Sequence, residues 1–148
     1  MVISNYKKKT VYVPLAADIL HEGHFNILRT AKKYGKVIVG LLTDAAIIQY
    51  KPLPFFDYEQ RYKIVSNLKY VDEVVSQDTW DYDLILKRIK PDFFIHGNNW
   101  KKGVQKNIRL KVIKALKEWN GKLIEPEYTK NIIEAFKKKK ILTFVAIL

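Results

Sequence analysis

The 148-residue chain contains no cysteine. Disulfides, thiolate metal sites and thiol nucleophiles are therefore excluded, and the composition suits a reducing compartment such as the cytoplasm. Glycine and proline are sparse, at 6 and 5 residues. They form no linker-like tract, so a single domain over residues 1–148 is expected. No apolar run approaches the roughly 20 residues that a membrane-spanning helix requires, so no membrane partner is expected. The N-terminus passes through Lys7-Lys8-Lys9 into a strand-like segment without the apolar stretch of a secretory signal. Acidic residues are also scarce, 15 against 27 basic ones, for a formal charge of +12. Such an excess favours anionic partners. The plainer reading of the two lysine runs, Lys7 to Lys9 and Lys137 to Lys140, is a solvated surface. Aromatic residues do not interleave with them as a base-stacking platform requires, so nucleic acid is not the expected partner.

What is present is an apolar content of 48%, typical of a folded core. Short apolar runs alternate with segments of helical period. Thr10 to Leu15 reads as a strand and Gly23 to Tyr34 as a helix ended by Gly35. Val37 to Leu42 is almost continuously apolar, as in a strand covered on both faces. A helix from about Asp57 to Leu68, with Asp57 as N-cap, precedes a strand at Glu73-Val74-Val75. A helix near Tyr82 to Ile89, a strand from Asp92 to His96, a helix near Asn107 to Trp119, a strand at Lys122-Leu123-Ile124 and a last helix from Ile132 complete the order. The alternation predicts an α/β fold, a Rossmann-like doubly wound parallel sheet of about five strands. Ligands of such sheets sit beyond the carboxyl ends of the strands, so functional residues are expected just after them.

After the first strand comes Ala16-Ala17-Asp18-Ile19-Leu20-His21-Glu22-Gly23-His24. His21 and His24 are three apart at a helix start, where free N–H groups favour an anion. Gly23 allows close approach of a phosphate to the backbone. Two imidazoles there can donate to phosphate oxygens and stabilise charge during phosphoryl transfer. The alternatives are surface or capping histidines, or a zinc pair, although no other His or Cys cluster completes a tetrahedral set. After the second strand, Lys51 precedes Pro52-Leu53-Pro54 and is either a mobile phosphate-binding cation or a surface lysine. Arg61 could clamp a phosphate or pair with Asp57 four residues earlier. After the fourth strand, Gly97 permits a sharp exit, Asn98 and Asn99 can donate and accept, and Trp100 offers a flat face for a base or belongs to the core.

With these residues in hand, the chain resembles the cytidylyltransferase branch of the nucleotidyltransferases that carry a His-x-Gly-His motif, here His21-Glu22-Gly23-His24. Four further segments agree in order and spacing: Gly40 to Asp44, Tyr58-Glu59-Gln60-Arg61, Lys69 to Val75, and His96-Gly97-Asn98-Asn99-Trp100. The sub-branch it looks most like is associated with phosphoenolpyruvate mutase and with small phosphoesters. The resemblance implies CMP transfer from CTP, with Mg²⁺, onto a small phosphorylated or phosphonylated acceptor such as phosphocholine, phosphoethanolamine, aminoethylphosphonate, glycerol phosphate or a phosphoglutamine-like compound. It implies catalytic roles for His21, His24 and Lys51. It places Asp18 beside the phosphates and the magnesium. It places Gly23, Arg61, Gly97, Asn98, Asn99, Trp100 and Thr129 around the nucleotide, and it implies a homodimer. The same scaffold also supports adenylyl transfer from ATP.

The sequence departs from the family at three places. Gly-Asn-Asn-Trp stands for Gly-Asp-Asp-Trp and removes two negative charges. Lys69 stands for an arginine. Asn131-Ile132-Ile133-Glu134-Ala135 stands where the family has a Gly-Ile-Ser-Ser/Thr-Thr segment that touches the triphosphate, so 131–148 reads as a divergent C-terminal tail. A carboxylate from Glu134 beside a triphosphate would repel it. A nucleotide-binding relative of impaired activity is the corresponding non-enzymatic reading.

Overall fold

The computed structural model describes residues 7–127 and 129; the helix expected from Ile132 and the tail 131–148 lie outside them. The elements follow the expected alternation: β1 (Thr10–Leu15), α1 (Glu22–Lys32), β2 (Lys36–Leu42), α2 (Asp44–Ile47), α3 (Tyr58–Ser66), β3 (Glu73–Gln77), α4 (Asp83–Ile89), β4 (Phe93–Ile95), α5 (Lys106–Lys117) and β5 (Lys122–Ile124). Asp57 caps α3 as its position predicts, accepting the Gln60 amide at 2.9 Å. The short α2 leaves no pattern in the sequence. Thr43 caps it through the Ala46 amide, and its four residues are too few to display a helical period.

All strand pairs are parallel, in the order β3-β2-β1-β4-β5. β1 is central, and Val11, Val13 and Leu15 pack on one face with Leu28 and Ala31 of α1 and Val65 of α3. Tyr12 and Phe94 pack on the other face with Leu86 of α4 and Val112 and Leu116 of α5. This two-sided burial is why the β1 and β2 sequences are apolar at nearly every position. Gly40 on β2 has a specific cause. The Tyr12 side chain crosses it to bond the Gln77 side chain on β3, and a Cβ at position 40 would overlap the Tyr12 hydroxyl.

The strand order reverses between β1 and β4. The chain leaves β1 toward α1 on one face and leaves β4 toward α5 on the other. A crevice therefore opens at their carboxyl ends, between the segment after Leu15 and the segment after Ile95. Ala17, buried in the first of these turns, holds a left-handed φ of 53°. That conformation costs a residue with a Cβ on the order of 1 kcal/mol.

Candidate active site

The crevice is lined by His21, Gly23, His24, Gly97, Asn99 and Thr129, together with His96, Tyr50, Trp80, Tyr82, Gln105 and Glu127. Residues assigned from three separate stretches of sequence thus meet at one place. Its floor is the start of α1. His21 is the N-cap of that helix, and the two histidines form a reciprocal capping box. The Gly23 amide donates to His21 Nδ1 at 3.1 Å, and the His21 amide donates to His24 Nδ1 at 3.2 Å. A backbone N–H only donates, so both Nδ1 atoms are acceptors and each neutral ring carries its proton on Nε2. The rings lie 4.2 Å apart. Burial pushes the His24 pKa down to about 3, helped by the His21 ring and the Lys51 charge and opposed by the His21 amide. Burial also lowers that of His21. Both are therefore neutral N–H donors at pH 7. His24 Nε2 is buried without a hydrogen-bond partner among the described residues. A buried donor left unpaired costs about 1–3 kcal/mol, an energy that an anion in the crevice would return.

Gly23 has a second reason to be glycine. A Cβ there would lie 2.9 Å from His21 Cε1, so any side chain would displace the capping ring. Thr129 borders the same turn and accepts a hydrogen bond from Asn26 at 3.3 Å.

Asp18 does not line the crevice. Its Oδ1 accepts the Phe55 and Phe56 amides at 2.7 and 3.1 Å, which ties the loop after α2 to the motif turn. Lys51 lies on that loop. Burial lowers its pKa, Asp18 raises it and Arg61 lowers it. Its charge thus sits within electrostatic reach of both Asp18 and His24. Among the described residues no group of three or more His, Asp or Glu side chains could by itself hold a metal ion.

Of the expected site residues, Asp18, Lys51, Arg61, Asn98 and Trp100 do not line the crevice. Arg61 is fully buried and does not face the crevice. Its guanidinium donates to the carbonyls of Ala16, Leu42 and Phe56 at 2.6, 2.8 and 3.0 Å and to Asp44 at 2.6 Å. With four of its five N–H donors on protein acceptors it joins the ends of β1 and β2 to the loop, and its ion pair is with Asp44 rather than Asp57. Trp100 offers no open face to a base. It is 1% exposed, packs between Phe94 and His96, and donates Nε1 to Glu125 at 2.8 Å. Asn98 lies outside the lining, and its amide donates to the Pro126 carbonyl at 3.2 Å.

Several lining residues escaped the sequence reading. Tyr50 and Trp80 stack at 3.5 Å between ring centroids. Trp80 follows the end of β3, so the same rule of looking just after each strand points to it. Gln105 lies in the segment Gly103-Val104-Gln105-Lys106, which also looks like the family sub-branch, whereas Tyr50 and Tyr82 carry no comparable signal.

Comparison with known proteins agrees with this geometry. The family model described as cytidylyltransferase-like matches residues 16–144. The ethanolamine-phosphate cytidylyltransferase of Mus musculus is 43% identical over 84 residues, covering 55% of this chain and 21% of that protein. An FAD synthase of Archaeoglobus fulgidus is 34% identical over 82 residues, covering 55% of this chain and 60% of that one. The chain thus spans less than two thirds of either relative's length. The crystal structure of a lipopolysaccharide core biosynthesis protein from Thermoplasma volcanium superposes with a TM-score of 0.71 at 25% identity, covering 83% of this chain and 99% of the other. With a match reaching from the β1 exit through the histidine turn and on past α5, the chain belongs to the cytidylyltransferase-like family.

Proposed function

We propose that the protein transfers CMP from CTP to a small acceptor bearing a phosphate, phosphonate or phosphoramidate, releasing pyrophosphate, and that it works as a cytoplasmic homodimer. The observation that carries this reading is the histidine pair. Two neutral imidazoles, their Nδ1 atoms tied to backbone amides, present Nε2–H donors at a helix N-terminus on the switch point of a parallel sheet. Donors placed where phosphoryl charge builds, and needing no reorganisation, are what such a reaction requires.

The acceptor oxygen is already anionic, so it attacks the α-phosphorus in line without a strong general base, and the bond to pyrophosphate breaks. His21 and His24 donate to the phosphoryl oxygens. Lys51 neutralises charge from the loop that Asp18 and Arg61 hold in place. A magnesium ion bound with the triphosphate would have few protein ligands here, the nearby carboxylates among the described residues being Asp18 beside the motif turn and Glu127 in the crevice lining. When bound, the ion supplies further neutralisation of phosphate charge.

The second reading is adenylyl transfer from ATP. It is favoured by the similarity to an FAD synthase, whose named product contains an adenine nucleotide. Pyrophosphate release with CTP or ATP, Mg²⁺ and a panel of phosphorylated and phosphonylated acceptors separates the two. Acceptor-dependent release with CTP is expected. Release with ATP alone supports the second reading, and nucleotide binding without release from either supports an impaired relative.

A further inference from the structure

A third histidine in the crevice has the opposite polarity to the first two. His96, just beyond β4, has Nδ1 2.8 Å from the Gly97 carbonyl oxygen. A carbonyl oxygen only accepts, so Nδ1 carries the proton. Burial holds the ring's pKa down to about 4, against smaller opposing effects of the Gly97 bond and Glu125. The ring is therefore neutral at pH 7, and Nε2 is a lone pair. The ring is also fixed in place. It stacks on Trp100 at 3.9 Å and 12°. Trp100 is anchored in turn by Phe94 and by Glu125, which Arg109 grips through two hydrogen bonds of 2.7 and 2.9 Å. Turning the imidazole over would lose the Gly97 bond.

The crevice wall around this ring differs from the floor at α1. His96, Gly97, Asn99 and Gln105 line it without a formal charge at neutral pH, and the one acidic residue of the crevice lining is Glu127, just beyond the Pro126 carbonyl that accepts the Asn98 amide. Neutral groups that donate and accept suit the edge of a nucleobase, whereas phosphate calls for cations or convergent N–H groups.

We propose that His96 determines base specificity, its Nε2 accepting a hydrogen bond from the exocyclic amino group of cytosine. The inference rests on the nucleotidyltransferase reading above. Uracil would set a carbonyl oxygen against the same lone pair, leaving two acceptors face to face. A site built to pair a polar group discriminates strongly against a ligand that cannot pair it. Adenine carries an amino group too, so the device separates amino-bearing bases from carbonyl-bearing ones.

The test is calorimetric titration of the protein and of His96→Phe and His96→Gln with CTP, UTP and pyrimidin-2-one riboside triphosphate, which is CTP without its amino group. The wild type is expected to bind CTP at least about tenfold tighter than the other two. His96→Phe keeps a flat ring on Trp100 and should bring all three within about threefold, by weakening CTP alone. His96→Gln, whose amide oxygen can accept, should recover part of the preference. A CTP-to-UTP ratio unchanged in His96→Phe overturns the proposal and leaves nucleotidyl transfer standing. So does a wild type that binds the pyrimidin-2-one nucleotide as tightly as CTP, a comparison that needs no variant to fold. A wild type that binds none of these nucleotides and no ATP overturns both readings.

Discussion

His21 and His24 are small changes away from being ordinary helix-start residues, and their chemistry depends on two backbone hydrogen bonds that fix which nitrogen holds the proton. Replacing either by alanine removes one donor to the phosphoryl group. Turnover in the pyrophosphate assay should fall by about 10²–10³-fold, with a much smaller change in nucleotide affinity measured by titration. Wild-type turnover in both variants would remove the histidines from the mechanism. A second expectation follows from protonation. His24 and His96 have folded pKa values of about 3 and about 4, below the unfolded value of about 6.5. Between those limits the unfolded chain binds more protons, so stability rises with pH across the window and is lost as pH falls from about 6.5. Each group should contribute a slope of roughly 1.4 kcal/mol per pH unit in the middle of the window. Urea unfolding at pH 7, 5.5 and 4.5 checks this. His24→Gln and His96→Gln should each flatten the dependence.

At the scale of elements, Arg61 shows how a single side chain sets a site without touching it. One planar guanidinium reaches the ends of β1 and β2, the loop at Phe56 and the first turn of α2. An ammonium cannot span these acceptors. Arg61→Lys is expected to destabilise the fold by about 2 kcal/mol or more in chemical denaturation, because buried carbonyls lose their donors. A shift below about 0.5 kcal/mol would mean that the loop ends hold themselves. Much of this level was legible beforehand. The apolar runs of β1 and β2, the Asp57 cap and the histidine turn all announce themselves locally, through periodicity or through residue type at a helix start. Arg61 could not be placed in the same way. Its partners are mainly backbone carbonyls from distant segments, which leave no trace in residue identity. Trp100 likewise reads as a base platform or as core from sequence, and only the packing of Phe94 and the carboxylate of Glu125 decide for core.

Over the whole molecule, the sheet is held by burial on both faces and by one polar bolt through it. Tyr12 on the central strand passes over Gly40 to Gln77 on the edge strand β3. Gly40→Ala would force the tyrosine out of that path and strand the buried Gln77 side chain. Destabilisation of about 2–4 kcal/mol is expected, measurable as a lower thermal midpoint. Gly40→Ala combined with Tyr12→Leu should recover part of the steric loss, since both the hydroxyl and the ring carbon Cζ that the new Cβ would meet are gone. An equally unstable double variant would show that the clash lies elsewhere.

The capping box at α1 uses the same atoms to start a helix and to arm the crevice. Serine or aspartate at position 21 would cap the helix better than an imidazole does. Aspartate would also put a negative charge where the triphosphate is proposed to bind. Selection for a sturdier protein and selection for a faster one therefore pull position 21 in opposite directions. A library screened for thermal resistance alone should drift away from histidine there, and one screened for turnover should hold it.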